Sequence, residues 1–132
     1  MIRSIILAAI VASSISIAPF VPANAHGKPE HGGAFCEVRE YTFEVVAKRE
    51  GEETKFTAYV KDPALKPVKE GKLDLKVWEN AKKSQTVSLT GNGEGEFTAT
   101  AKVPNRGRYK VGVKFELTGK KPMSCNVSVK ES

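Results

Sequence analysis

The two histidines of this chain, His26 and His31, lie in one short stretch, ANAHGKPEHGG. Imidazole nitrogens are common metal ligands, so two of them in close succession are a candidate metal site. The glycines and the proline make this stretch a poor helix or strand. A solvated tail in which the histidines have no ligand role is the alternative interpretation.

The residues before the histidines have the three parts of a secretory signal peptide. Arg3 supplies a positive charge, residues 4–18 form an uncharged apolar run, and Ala23-Asn24-Ala25 gives the small-x-small pattern of a cleavage site. The apolar run is too short to span a bilayer. We therefore expect residues 1–25 to be removed, the mature protein to be periplasmic or secreted, and no stable membrane insertion after cleavage.

Cleavage after Ala25 would make His26 the first residue of the mature protein. Its α-amine, with an ordinary pKa of about 7.7–8.0, is partly deprotonated at neutral pH. This amine and the ring Nδ1 can chelate one ion, a nitrogen set that suits Cu²⁺. The ring of His31 would add a third nitrogen, and Glu30 or Glu37 an oxygen. The sequence thus predicts copper (Cu²⁺) as the ligand of His26 and His31.

The positions of the two histidines differ from those in two known copper-binding patterns. The tightest N-terminal copper motif has histidine in the third position, which here would be Lys28. Copper-dependent polysaccharide oxygenases also begin with histidine, but they take their second histidine from deep within the folded domain. His31 lies in the same short leader as His26, so an oxygenase is not favoured.

Catalysis of other kinds is not indicated either. No histidine follows His31, which excludes Ser-His-Asp and Cys-His arrangements within the domain. The acids Glu44, Asp74 and Glu116 stand singly at outward strand positions. We expect that the protein is not an enzyme.

Cys36 and Cys125 are the two cysteines of the chain, one near each end of the expected mature protein. In an exported protein they are expected to form a disulfide between the first and the last strand. Two thiolates that help to bind a soft metal are the alternative, which would need a reducing compartment or a protected site.

The elements that must position these groups have a period of two, which predicts strands. Seven segments alternate between apolar and polar residues, and turns rich in Gly, Pro and Asn separate them. Their apolar sets include Phe43 and Val45, Leu73 and Leu75, and Val111 and Val113. We predict an all-β fold, an immunoglobulin-like antiparallel β-sandwich of about seven strands. Its domain would cover residues 35–132, after a flexible His/Gly leader at 26–34.

Trp78 falls on the polar side of its alternating strand, KLDLKVWEN. Two interpretations stay open. It is a candidate contact for a partner protein, or a local bulge turns it onto the edge of the core.

The net charge of +6 does not indicate nucleic-acid binding, because the lysines are scattered singly among acids and apolar residues. They are interpreted as the solvated faces of strands. Weak attraction to acidic partners or to the cell envelope is the alternative.

Several segments together resemble a known family: the signal peptide, AHG…HGG, EYTFEVVA, FTAYVKDPALKPV and PNRGRYKVGV. They resemble small exported immunoglobulin-like domains of the YtkA-like type, and periplasmic proteins and adaptor domains of heavy-metal efflux that begin with histidine and glycine. The resemblance implies a two-sheet fold and a role in metal handling in the envelope. It carries over to His26 and His31.

These observations predict a periplasmic metal-binding protein, with copper as the metal, that acts in metal homeostasis or delivery. A metal-handling or efflux protein of the envelope would be its partner. The alternative is a non-catalytic interaction or structural module of the envelope with no metal role, which would use a sheet edge or the Trp78 face.

Overall fold

The computed structural model describes residues 28–104 and 107–132, and within them it contains eight β-strands and no helix. This confirms the all-β prediction. In chain order the strands are β1 (Ala34–Val38), β2 (Tyr41–Glu50), β3 (Glu53–Lys61), β4 (Lys72–Trp78), β5 (Ser84–Gly91), β6 (Glu96–Ala101), β7 (Arg108–Glu116) and β8 (Met123–Lys130).

All neighbouring strands are antiparallel, in the order β1-β2-β3-β6-β5-β4-β7-β8. The sheet folds over on itself at a short pairing in which Thr90 and Gly91 of β5 face Thr98 and Phe97 of β6. Strands β1, β2, β3 and β6 therefore form one wall of the fold, and strands β4, β5, β7 and β8 form the other.

The two ends of the sheet come close together and nearly close it into a barrel. The N–H of Arg49 donates to the carbonyl of Ser132, and the N–H of Ser132 donates to the carbonyl of Ala47, both at 3.0 Å. The predicted disulfide is present: Cys36 of β1 is bonded to Cys125 of β8. The fold is thus tied together both by backbone hydrogen bonds and by a covalent link.

The core lies between the two walls and is built from the inward residues of each strand, as the alternation predicts. Phe43 and Phe97 each pack edge-to-face on Phe115, with ring centroids 5.6 and 5.7 Å apart. Leu73, Leu75, Val77, Val111 and Val113 are also buried.

The structure differs from the sequence prediction at two places. It has eight strands rather than about seven, because Ala34–Val38 pairs with β2 as an additional strand. The bulge considered for Trp78 is wrong, since β4 pairs without interruption with β5 and β7 from Leu73 to Trp78. The assignment to the immunoglobulin-like type stays a prediction.

Each wall has an outer face that points away from the core. We call the outer face of β1, β2, β3 and β6 the Glu44 face, and the outer face of β4, β5, β7 and β8 the Trp78 face. Residues 28–104 and 107–132 contain no helix that is long and apolar enough to cross a membrane.

Candidate metal site in the histidine leader

The candidate site is centred on Glu44, which the alternation of β2 places on the outer face. Its direct neighbours in the sheet are Phe35 on β1 and Tyr59 on β3. An outward glutamate is ordinarily solvated, yet Glu44 is only 4% exposed. It is buried because the leader folds back over this row of residues.

The carboxylate of Glu44 is the point at which the leader is attached. It accepts hydrogen bonds from the backbone N–H groups of Glu30 at 3.0 Å, His31 at 2.8 Å and Gly33 at 2.8 Å. The ring Nδ1 of His31 lies 2.9 Å from the same carboxylate. Hydrogen bonds to an ionised acceptor are stronger than neutral ones, so four of them hold this short segment firmly.

These contacts decide the charge state of Glu44. Burial by itself raises the pKa of a carboxyl group. Here the hydrogen bonds from the His31 ring and from the backbone N–H groups of Gly33, Glu30 and His31 outweigh burial and lower the pKa of Glu44. The group is therefore an ionised carboxylate at neutral pH.

The ring of His31 is held in one orientation. It stacks on the ring of Tyr59 with 3.6 Å between centroids and 5° between planes. Because Glu44 is ionised and only accepts, the Nδ1 of His31 must carry the proton. In the neutral imidazole the lone pair then lies on Nε2, on a side chain that is 42% exposed.

Two further contacts fix the path of the leader. The Nζ of Lys61 donates to the carboxylate of Glu30 at 2.8 Å. Gly33 lies so close to β2 that a Cβ on it would be 2.5 Å from the carbonyl oxygen of Val45. Only glycine fits at this position without displacing the segment.

The predicted ligands fall into two groups. His31 lies in the site just described, whereas His26 lies outside the described residues. Glu30, considered as an oxygen ligand, is bonded to Lys61, and Glu37 lies exposed on β1. Within 28–104 and 107–132, no group of three or more His, Cys, Asp or Glu side chains could hold a metal ion. The boundary between leader and domain at residue 34 stays a prediction.

Sequence reasoning missed Glu44, which it interpreted as a solitary outward acid. Alternation alone cannot show that a segment more than ten residues away covers an outward position. The row of Glu44 with Phe35 and Tyr59 depends on the register of three strands, so no pattern within β2 itself signals it.

The other predicted positions lie elsewhere. Cys36 and Cys125 are joined in the disulfide, so in this state neither sulfur is a thiolate ligand. Trp78 lies on the opposite wall and borders a groove of about 820 Å³. The Nζ of Lys76 lies 4.6 Å from the centre of its ring, within the range of a cation–π contact.

Residues 36–114 match a family described as YtkA-like. The match covers more than half of the chain, and the chain belongs to this family. No curated protein and no solved structure matches it.

Proposed function

We propose that this YtkA-like protein is an exported, non-catalytic metal-binding protein that carries copper on its histidine leader. The observation that carries the proposal is the fixed ring of His31, whose Nδ1 is bonded to the ionised Glu44 and whose Nε2 faces away from that bond. Metal-binding histidines commonly donate their other ring nitrogen to a carboxylate, which fixes the tautomer and raises the basicity of the ligand.

The remaining ligands would come from His26. If the chain is cleaved after Ala25, His26 supplies an α-amine and a ring nitrogen. Four residues separate the two histidines, and a chain of this length can turn back so that both rings reach one ion. A set of three nitrogens favours tetragonal Cu²⁺ over a tetrahedral ion.

In this arrangement, one part of the leader attaches it to the domain and the other part would supply the remaining metal ligands. Residues 30–33 are attached to the domain through Glu44. His26 would close over the ion from the free end. A site with one ligand held by the domain and the others at the chain end would suit delivery of the metal to an envelope metal-handling or efflux protein.

A Cu²⁺ titration tests the proposal. It compares the protein that begins at His26 with the same protein acetylated at the His26 α-amine, and with His31→Ala. We expect each change to weaken Cu²⁺ binding at least tenfold, because each removes one nitrogen from a chelate. Lys28→Ala is the matched control and should bind like the unchanged protein. Equal affinity in all four proteins would contradict the proposal.

The alternative function is an interaction module of the envelope with no metal role, and the groove beside Trp78 favours it. On that alternative, binding of an envelope partner is indifferent to metal and is lost in Trp78→Ala. Binding that needs metal and survives Trp78→Ala would speak against it.

A further inference from the structure

The Trp78 face has features that the metal site does not use. Across the strands, Trp78 lies in one row with Lys110 and Ser128. The next row contains Lys76, Gly112 and Asn126. A Cβ on Gly112 would be 3.3 Å from the side-chain oxygen of Asn126, so the absence of a side chain at this position leaves room between the two flanking residues.

Trp78, Lys110, Asn126 and Ser128 of these two rows line a groove of about 820 Å³. The turn that follows β4 borders the groove at one end, through residues 79–81. Trp78 offers it an aromatic surface, while the amide of Asn126 and the hydroxyl of Ser128 offer hydrogen-bonding groups. An aromatic surface beside a few polar groups is typical of a binding groove.

The charge of the Trp78 face is strongly one-sided. Six exposed cations lie on the outward positions of its strands, against two carboxylates, Asp74 and Glu116. The cations are Lys72, Lys76, Arg108, Lys110, Lys114 and Lys130. A third acid, Glu79, borders the groove, but it is mostly buried and lies 3.7 Å from Lys83.

The Glu44 face has the opposite balance. Its strands carry five outward glutamates against three lysines: Glu37, Glu44, Glu50, Glu53 and Glu96 against Lys48, Lys55 and Lys61. The lysines that look scattered in the sequence are therefore sorted by the sheet topology. Sorted charge of this kind steers an oppositely charged partner to one face.

We propose that the Trp78 face is a docking surface for an extended acidic segment of a partner protein. Lys76 and Lys110 would pair with its carboxylates, Trp78 would pack on an apolar side chain, and Asn126 and Ser128 would bond to its backbone. A polypeptide suits the shape because the groove is walled by a turn. An anionic bilayer is disfavoured, since Leu65 is the one large hydrophobic side chain exposed among the described residues and it lies in a different loop.

The groove also leads toward the leader. Ser128 borders both the groove and a second cleft of about 300 Å³. That cleft contains Arg108 and Lys130 and is bordered by His31. A segment docked at Trp78 would thus have one end near His31. Only this last point, that docking brings a partner to the metal, rests on the proposed function.

The test uses Trp78 itself as the reporter, because it is the one tryptophan of the chain. Metal-free, disulfide-bonded protein is titrated with an acidic peptide of about ten alternating Glu and Leu residues at low salt, and the fluorescence of Trp78 is followed. Lys110→Glu is compared with Lys55→Glu, which makes the same charge change on the opposite face. Vesicles of phosphatidylglycerol replace the peptide in a second arm.

We expect the peptide to change the fluorescence saturably, Lys110→Glu to weaken binding at least tenfold, and Lys55→Glu to weaken it less than twofold. Equal effects of the two variants would overturn the proposal, because binding would then follow net charge alone. A response to vesicles but not to peptide would overturn it in favour of a membrane. Since no metal is present, none of these results depends on whether the leader binds copper.

Discussion

The two outer faces of this fold are built from the same alternating strands but treat their charged residues in opposite ways. On the Glu44 face a carboxylate is 4% exposed and accepts four hydrogen bonds from the leader. On the Trp78 face six cations remain exposed, and one of them, Lys110, lines an open groove. Alternation determines which residues point outward. Their role then depends on whether another segment covers them, as the leader covers Glu44.

The difference assigns different roles to the two faces. The covered face holds one histidine ring in a fixed orientation, which suits the binding of a small ion. The uncovered face offers several separated positive charges and an aromatic surface. These features suit a polypeptide partner rather than a small ion.

The largest effect is expected from the disulfide, which joins the wall of one face to the wall of the other. Its cysteines are 89 residues apart, so in the chain-entropy model removal should lower the free energy of unfolding by about 2–4 kcal/mol. The comparison is between the double variant Cys36→Ser/Cys125→Ser and the unchanged protein, by urea denaturation with and without reductant. Reductant should destabilise only the unchanged protein. Equal stability of the two proteins in the absence of reductant would show that the backbone contacts alone close the sheet.

The next effect is expected from Glu44→Gln. The amide keeps the shape of the side chain but loses the charge, and its NH₂ group would face donors. We expect a loss of about 2–3 kcal/mol and faster hydrogen exchange of the N–H groups of His31 and Gly33. Glu50→Gln, an exposed change on the same strand, is the control and should leave both unchanged. Unaltered exchange at these two amides in Glu44→Gln would contradict the attachment of the leader.

A pair of glycine substitutions compares the faces directly. In Gly33→Ala the new Cβ would meet a backbone carbonyl at 2.5 Å, whereas in Gly112→Ala it would meet the end of a side chain at 3.3 Å. We expect Gly33→Ala to cost about 1–2 kcal/mol. Gly112→Ala should be neutral or slightly stabilising, because glycine weakens strands. Thermal unfolding measures the stability of both variants. A Gly112→Ala variant that is less stable than Gly33→Ala would contradict the packing described at these two positions.

A smaller effect concerns pH. The folded protein lowers the pKa of Glu44 below its ordinary value of 4.5. The stability that this gives is fully present above about pH 4.5 and is lost as the pH falls through the lowered value. The stability difference between the unchanged protein and Glu44→Gln should therefore shrink on acidification from pH 6 to pH 3. Glu131, whose pKa is also lowered, is common to both proteins and cancels. A stability difference that stays constant from pH 6 to pH 3 would contradict a lowered pKa of Glu44.

Much of the fold follows from local pattern. The period of two places Phe43, Leu75 and Val113 inward, because each strand buries one side whatever its neighbours are. The disulfide could also be predicted, from the expected export and from a count of two cysteines. Trp78 lies on the polar side of its strand, as the alternation alone indicates.

The site could be predicted only in part, because its contacts are long-range. His31 stands out by composition, but its partners Glu44 and Tyr59 are brought to it by the fold of the leader and by the register of β2 and β3. The sorting of lysines onto the Trp78 face depends on the strand order, which places β7 between β4 and β8. Neither is visible in a window of neighbouring residues.

The most direct test of the central claim is nitrogen NMR of the histidine rings, in the protein that begins at His26. In the metal-free protein, we predict that the neutral ring of His31 carries its proton on Nδ1 and its lone pair on Nε2. Substoichiometric Cu²⁺ should then broaden the His31 ring signals and leave the indole N–H of Trp78 sharp. A His31 protonated at Nε2, or Cu²⁺ broadening that spares His31, would contradict the account.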